Sequence, residues 1–168
     1  MKHLIIVFIV LTSLSGFSQN DNQSEVSVYY FIRHAEKDRS DATNKNPHLT
    51  RKGLARANNW SDILDDVKFD KVYSTDYNRT KETAQPTATK NKLKLTLYHP
   101  FKLKKEIFLK DTKGKTVLVV GHSNTTPEFV NLLLGNKKYK HIDDTNNGNL
   151  YIITIIDDKI SDQVLTIN

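Results

Sequence analysis

Three short segments place ionisable side chains directly after apolar runs. Arg33-His34-Ala35-Glu36 follows Val28-Tyr29-Tyr30-Phe31-Ile32. Ser74-Thr75-Asp76, continued by Asn78-Arg79-Thr80, closes a short run from Asp70. Gly121-His122-Ser123-Asn124 follows Thr116-Val117-Leu118-Val119-Val120 and stands just before a helix start marked by Pro127. A turn built only for solvent would favour Gly, Asn or Pro, whereas these turns supply two arginines and two histidines. Guanidinium forks and the free N–H groups of a helix start suit an anion with several oxygens, for which phosphate is the leading candidate. An imidazole among them can attack as a nucleophile or carry a proton. Each piece also has a plain structural reading. A histidine after a strand can be a satisfied core residue, Arg79 can pair with Asp76 or Glu82, and the Gly-His-Ser-Asn turn can be a simple helix cap. Their joint occurrence at three successive strand ends is what favours chemistry.

Other phosphate and metal chemistries lack their residues. There is no Walker-type loop, no GxGxxG and no aspartate cluster for a metal. Six scattered His, no Cys and no HExxH leave a zinc hydrolase with little support. No metal and no cofactor is implied.

The elements needed to position these residues follow from periodicity. Val26 to Ile32 reads as a first strand. Thr50 is an N-cap for a helix through about Val67, with Leu54, Ala57, Ile63 and Leu64 on its apolar face. Asp70 to Ser74 reads as a strand, and Asn78 to about Lys90 as a helix that Pro86 ends or kinks. Leu93 to Tyr98 alternates as a strand with one wet face. Phe101 to Lys113 reads as a basic amphipathic helix. Thr116 to Val120 is an apolar run suited to a sheet covered on both faces. A helix opens at Pro127 and closes at Gly135. Asn149 to Ile156 and Ile160 to Ile167 form a hairpin turning at Asp157-Asp158-Lys159. Alternating strands and helices predict an α/β fold, a three-layer α/β/α sandwich around a mixed, mostly parallel central sheet with an antiparallel edge. Ligands then bind beyond the carboxyl ends of the strands, where the three segments lie.

The chain has 168 residues, enough for one domain with a core. Its net charge of +6 is read first as a lysine-rich surface and second as a field for anionic ligands. The basic residues are scattered with no basic-aromatic patch, so nucleic acid is not expected as a partner. Residues 1–18 have the form of a signal peptide: Lys2 and His3, then an apolar core from Leu4 to Leu11, then Gly16 and Ser18 at a cleavage site after Ser18. That core is far shorter than the roughly 20 residues that span a bilayer. The expectation is a periplasmic or secreted protein with no stable membrane association after cleavage. Residues 19–25 read as a disordered lead-in and 26–168 as the domain. Oligomeric state is left open.

Four segments resemble the histidine phosphatase superfamily, also called phosphoglycerate mutase-like. Arg33-His34-Ala35-Glu36 is similar to its Arg-His-Gly/Ala signature. Ser74 to Ala84 is similar to Ser-x-x-x-x-Arg-x-x-x-Thr-Ala, and Val120-Gly121-His122-Ser123-Asn124 to the segment around its second histidine. Leu49-Thr50-Arg51-Lys52-Gly53 resembles its Leu-Thr-x-x-Gly helix entry. The short chain resembles the phosphohistidine phosphatases of the SixA type. The resemblance implies a phosphoglycerate mutase-like fold and a metal-independent phosphatase. In it His34 is the nucleophile that forms a phosphohistidine, and Arg33, Arg79 and His122 gather the phosphoryl oxygens, His122 best when protonated. Glu36, Ser123 and Asn124 would join them in binding a phosphorylated small molecule.

The general acid of the relatives has no recognisable counterpart. Glu36 is a possible substitute; Glu82, Glu106 and Asp111 occupy the right interval without a motif, so the acid is Glu36, Glu82, Glu106 or none at all. Without a good acid, aryl phosphates and phosphoramidates are expected to turn over better than unactivated alkyl phosphates. The alternatives are a non-catalytic module of the same fold that binds phosphorylated ligands, and a mutase-like phosphotransferase. His34, which binding alone would not require, favours the enzyme.

Overall fold

Val26–Arg33 forms β1, whose residues alternate between two covered faces. In the computed structural model, which describes residues 25–167, the chain continues through α1 (Arg51–Ile63), β2 (Lys71–Thr75), α2 (Asn78–Lys90) and β3 (Leu95–Tyr98). It then forms α3 (Lys105–Asp111), β4 (Thr116–Gly121), α4 (Thr125–Leu134), β5 (Asn149–Ile156) and β6 (Lys159–Thr166). The strands make one sheet in the order β3-β2-β4-β1-β5-β6. Pairings β1–β4, β4–β2 and β2–β3 are parallel, while β5 runs antiparallel to both β1 and β6. The expected mixed, mostly parallel sheet with an antiparallel edge is thus what forms.

The two faces carry separate cores. On one, Tyr29, Phe31, Val117 and Val119 meet Phe108 of α3 and Phe129, Val130 and Leu133 of α4. On the other, Ile32, Val72, Leu118 and Val120 meet Trp60 of α1 and Ala84 and Ala88 of α2. Helices cover both faces, giving three layers. Burial of such aliphatic and aromatic side chains contributes about 1.5–3 kcal/mol each, so this core fixes the strand ends rigidly.

Strand register is what assembles the chemistry. Arg33 lies opposite Gly121, and Ile32 and Ser74 both lie opposite Val120. Parallel alignment therefore brings the ends of β1, β4 and β2 to one edge, with His34, His122 and Thr75 as the next residues out. Insertion of β4 between β1 and β2 makes this a crevice between strands whose connections diverge, where such sheets bind ligands.

Four local expectations need correction. α1 stops at Ile63 rather than near Val67, and Leu54 (47% exposed) and Ile63 face solvent while Gly53, Ala57 and Trp60 are buried. α2 runs unbroken through Pro86. Its buried stripe, Thr80, Thr83, Ala84, Thr87 and Ala88, continues on both sides of the proline, and that packing outweighs one missing N–H donor. The third helix is only seven residues and omits Phe101. Pro100 sits where a β-turn favours proline, and Lys102 N donates to His99 O at 3.0 Å, so residues 99–102 turn instead. α4 begins two residues before Pro127, because the Thr126 hydroxyl donates to Ile32 O (3.3 Å) and docks the helix start on β1. Gly135 closes it with φ of 73°, in the left-handed region.

The signal peptide and its cleavage site lie outside the described residues. Of the lead-in only Glu25 is described, its carboxylate 2.8 Å from Lys113. Among the described residues no helix is long and apolar enough to cross a membrane.

Candidate active site

The end of β1 is pinned on three sides. His34 N donates to Gly121 O (2.9 Å), Ala35 N to the Thr83 hydroxyl (2.9 Å), and Asn147 Nδ2 to His34 O (2.9 Å). The Thr83 hydroxyl in turn donates to Arg79 O at 2.7 Å, tying the first helical turn of α2 to the histidine's backbone.

The imidazole of His34 is 4% exposed. Its Nδ1 lies 2.7 Å from Ala35 O, and a carbonyl can only accept, so Nδ1 carries the proton and Nε2 is bare. Burial, and then repulsion from His122, Arg79 and Arg33, pushes its pKa down to about 3 against the pull of the Ala35 carbonyl. The ring is therefore neutral at ordinary pH, the state a nucleophile requires.

His122 stands beside it, ring centroids 5.5 Å apart. Its Nε2 is 2.9 Å from the Thr75 hydroxyl, which spends its own proton on Thr80 (3.0 Å). Thr75 can then only accept, so His122 is protonated at Nε2 and its Nδ1 lone pair faces Arg79 Nη2 at 3.4 Å. Burial first, and Arg79, Lys37 and Arg33 after it, lower its pKa to about 4. With Arg79, Lys37 and Arg33 beside it, the neutral ring is favoured in the site as it stands.

Arg79 is arranged differently from Arg33. Its guanidinium lies over the Tyr77 ring, 4.4 Å from the centroid, and its Nε and Nη1 are buried without a hydrogen-bond partner among the described residues. Burial lowers its pKa, though a guanidinium keeps its charge. Unpartnered buried donors are costly unless an acceptor meets them. Arg33, 2% exposed, is largely engaged: Nη1 donates to Asp143 O (2.8 Å) and Asn146 O (3.0 Å), and Nη2 to Asp144 Oδ1 (2.6 Å). The other oxygen of Asp144 accepts from Arg39 at 2.8 Å.

Arg33, His34, Arg79, His122, Ser123 and Asn124 all line one cavity of about 730 Å³. Glu36 does not. Its two oxygens are each 3.0 Å from Arg56 Nε, with Lys52 at 3.6 Å, and it lines a smaller hollow on the α1 side. The structure thus turns Glu36 toward α1 as an anchor and away from the cavity that holds Arg79 and His122. Glu82 accepts from Leu49 N (2.8 Å) and pairs with His48; Glu106 is exposed on α3; Asp111 pairs with Lys71 and Tyr73. None lines the cavity. The carboxylates that do are Asp76, held by Lys81 at 2.7 Å, and Asp144.

Lys37, Thr75, Asn147 and Asp144 escaped sequence reasoning. Thr75 stood inside the quoted Ser74-Thr75-Asp76 segment without a role, and Lys37 directly after Glu36. Asp143-Asp144-Thr145-Asn146 has obvious turn chemistry, with the Asp143 carboxylate accepting from Thr145 N, but nothing local shows that this turn lands on Arg33.

The resemblance to this superfamily is borne out by comparison with known proteins, over a range that holds three of the four segments. Residues 29–102 match the model of the histidine phosphatase superfamily (branch 1). No curated protein matches the sequence. Among solved structures, the chain is similar to phosphoglycerate mutase from Bacillus anthracis, with 18% identity, 84% of this chain and 93% of that one covered, and a TM-score of 0.64. It is similar to the protein histidine phosphatase SixA complexed with tungstate (13%, 83% and 96%, TM-score 0.66). It is also similar to a phosphoserine phosphatase from Entamoeba histolytica in complex with phosphoserine (17%, 81% and 94%, TM-score 0.60). At these identities the likeness is one of fold, and the fold is phosphoglycerate mutase-like.

Proposed function

We propose that this chain, which carries the histidine phosphatase superfamily pattern over residues 29–102 on a phosphoglycerate mutase-like fold, hydrolyses phosphomonoesters or phosphoramidates through a phosphohistidine on His34. The observation that carries this reading is the bare Nε2 of a buried, neutral His34, locked by Ala35 O and facing a cavity with Arg79 and His122. Nε2 attacks phosphorus and the leaving group departs with the bonding electron pair. Water then attacks the phosphohistidine, expels Nε2, and releases inorganic phosphate. The two steps replace one difficult displacement.

Arg79, which lines the cavity, meets the phosphoryl oxygens, and Lys37 and Arg33 add positive field. A bound phosphoryl dianion reverses the local charge balance and raises the proton affinity of His122, which can then donate to a phosphoryl oxygen. Ser123 and Asn124 bring the start of α4 to the same oxygens. The proposal uses no metal, so activity persists in a chelator. Export rests on residues 1–18 of the sequence and is tested by finding the protein outside the cytoplasm without those residues.

The test is a quenched reaction with an aryl [32P]phosphate. An acid-labile, alkali-stable label on the wild type and none on His34→Ala is expected. Equal labelling of both, or no label together with unimpaired phosphate binding, would falsify the catalytic reading.

A further inference from the structure

The cavity has two chemically different halves. Its inner end is cationic, with Arg33, Lys37 and Arg79 around the two histidines; its outer wall is Leu97, Tyr98, Pro100 and Phe101 with the His99 imidazole among them, continued by the Tyr77 ring. Within 97–101 there is no Lys, Arg, Asp or Glu. Leu97 is 51% and Phe101 72% exposed, and with Pro100 and the Tyr77 ring they lie together along one cavity wall. The turn presents Phe101 outward by design of its backbone: Lys102 N closes it on His99 O, and Phe101 N donates to His99 Nδ1 at 3.3 Å. A volume of about 730 Å³ falls within the range of sites that enclose whole organic ligands, roughly 300–1,000 Å³, and so leaves room beyond a phosphoryl group.

We infer that this outer wall is the leaving-group subsite and that it selects a flat, apolar, uncharged group, making aryl phosphomonoesters the substrate class. The inference rests on the phosphatase reading and adds the part of the substrate that the inner end does not touch. An ammonium on the leaving group would meet no carboxylate on residues 97–101. Asp76 is engaged by Lys81, and Asp144 by Arg33 and Arg39. A sugar would lose hydration against Leu97 and Phe101. An aromatic ring instead gains contact with Phe101 and Tyr77 in the tilted or edge-on arrangements such rings favour.

The chemistry agrees with the wall. Among the described residues, no carboxylic acid in the cavity is free to protonate a leaving oxygen. An aryl oxide is stable enough to depart without one, its parent phenol having a pKa of about 10. His34 Nε2 forms the P–N bond, the P–O(aryl) bond breaks with its pair on the aryl oxygen, and that oxide takes a proton from solvent. Water then forms the new P–O bond as P–N breaks, its proton passing to solvent.

The test separates this inference from the phosphatase reading by measuring binding without turnover. Dissociation constants of 1-naphthylphosphonate and methylphosphonate are compared by calorimetry on the wild type, Phe101→Ala, Leu97→Ser and, as a control outside the cavity, Leu132→Ala. The wild type is expected to prefer the naphthyl compound about tenfold, and each wall variant to reduce that ratio about threefold or more. Leu132→Ala should leave it unchanged. Equal affinity of the wild type for the two phosphonates, or a ratio that survives both wall substitutions, overturns the inference even if phosphohistidine is trapped on His34. A preserved naphthyl preference with no phosphohistidine supports the subsite and refutes the enzyme.

Discussion

Acidification should destabilise this protein through the two buried histidines well before its carboxylates titrate. In the unfolded chain a histidine has a pKa near 6.5, whereas folding lowers His34 to about 3 and His122 to about 4. Between those values and 6.5 the unfolded state binds more protons, so stability rises with pH and is lost as pH falls. Taking the pH from about 7.5 to about 5 costs about 2 kcal/mol per histidine, or about 3–4 kcal/mol for the pair, against a total stability of about 5–15 kcal/mol. Below about pH 4 the folded state takes up protons too, and this contribution levels off. Asp41, Asp111, Asp143 and Asp144 are held below their ordinary range by hydrogen bonds and neighbouring cations, so their stabilisation is lost only below about pH 4. The windows are separate. The assay is urea unfolding from pH 7.5 to 5 for the wild type and for His34→Asn/His122→Asn. The quantity compared is the change with pH, so any fixed cost of the substitutions cancels, as do the remaining histidines. The double variant should lose most of the 3–4 kcal/mol dependence. Wild type and variant falling in parallel would refute the claim that these rings are buried neutral.

Gly53→Ala should destabilise by about 2–4 kcal/mol, because a Cβ there lies 2.2 Å from the backbone oxygen of Glu36, which also accepts from Thr50 N; a shift in urea midpoint worth under about 1 kcal/mol counts against that close approach. Arg79→Lys should lower kcat/KM by about 10²–10³ through loss of the planar donor fork, and a loss of less than tenfold would show that Arg79 is not the main phosphoryl ligand. Glu36→Gln should weaken the Arg56 contact and cost up to about 1 kcal/mol of stability, while leaving the ratio of aryl to alkyl phosphate turnover unchanged. Collapse of alkyl turnover alone would make Glu36 the general acid after all.

Much of the site was legible as local pattern. Arg33-His34, Arg79 and Gly121-His122 stood out because ionisable residues after apolar runs are hard to explain as solvated turns, and the alternation of strands and helices placed them on one edge. Thr50 was readable as a cap from its position alone, and its hydroxyl accepts from Gly53 N at 3.0 Å. Periodicity was weaker where packing competes with propensity. Pro86 is a helix breaker by its own chemistry, yet α1 and the sheet hold α2 together around it. Phe101 has the residue type of a core position, but Pro100 turns the chain and exposes it.

The sequence by itself determined which residue types stand at each strand end, and hence that the site is cationic and built around two imidazoles. Only the tertiary structure decided their states and their company. That Nε2 of His34 is bare depends on a carbonyl one residue away reaching Nδ1, a matter of dihedral angles. That His122 is neutral depends on burial among Arg79, Lys37 and Arg33, which come from two different strand–helix connections. That Glu36 faces Arg56 rather than the cavity, and that Asp144 reaches Arg33 across 111 residues of chain, are long-range facts. Hydrogen bonding and desolvation act through space, and spacing along a chain does not encode the distances on which they depend.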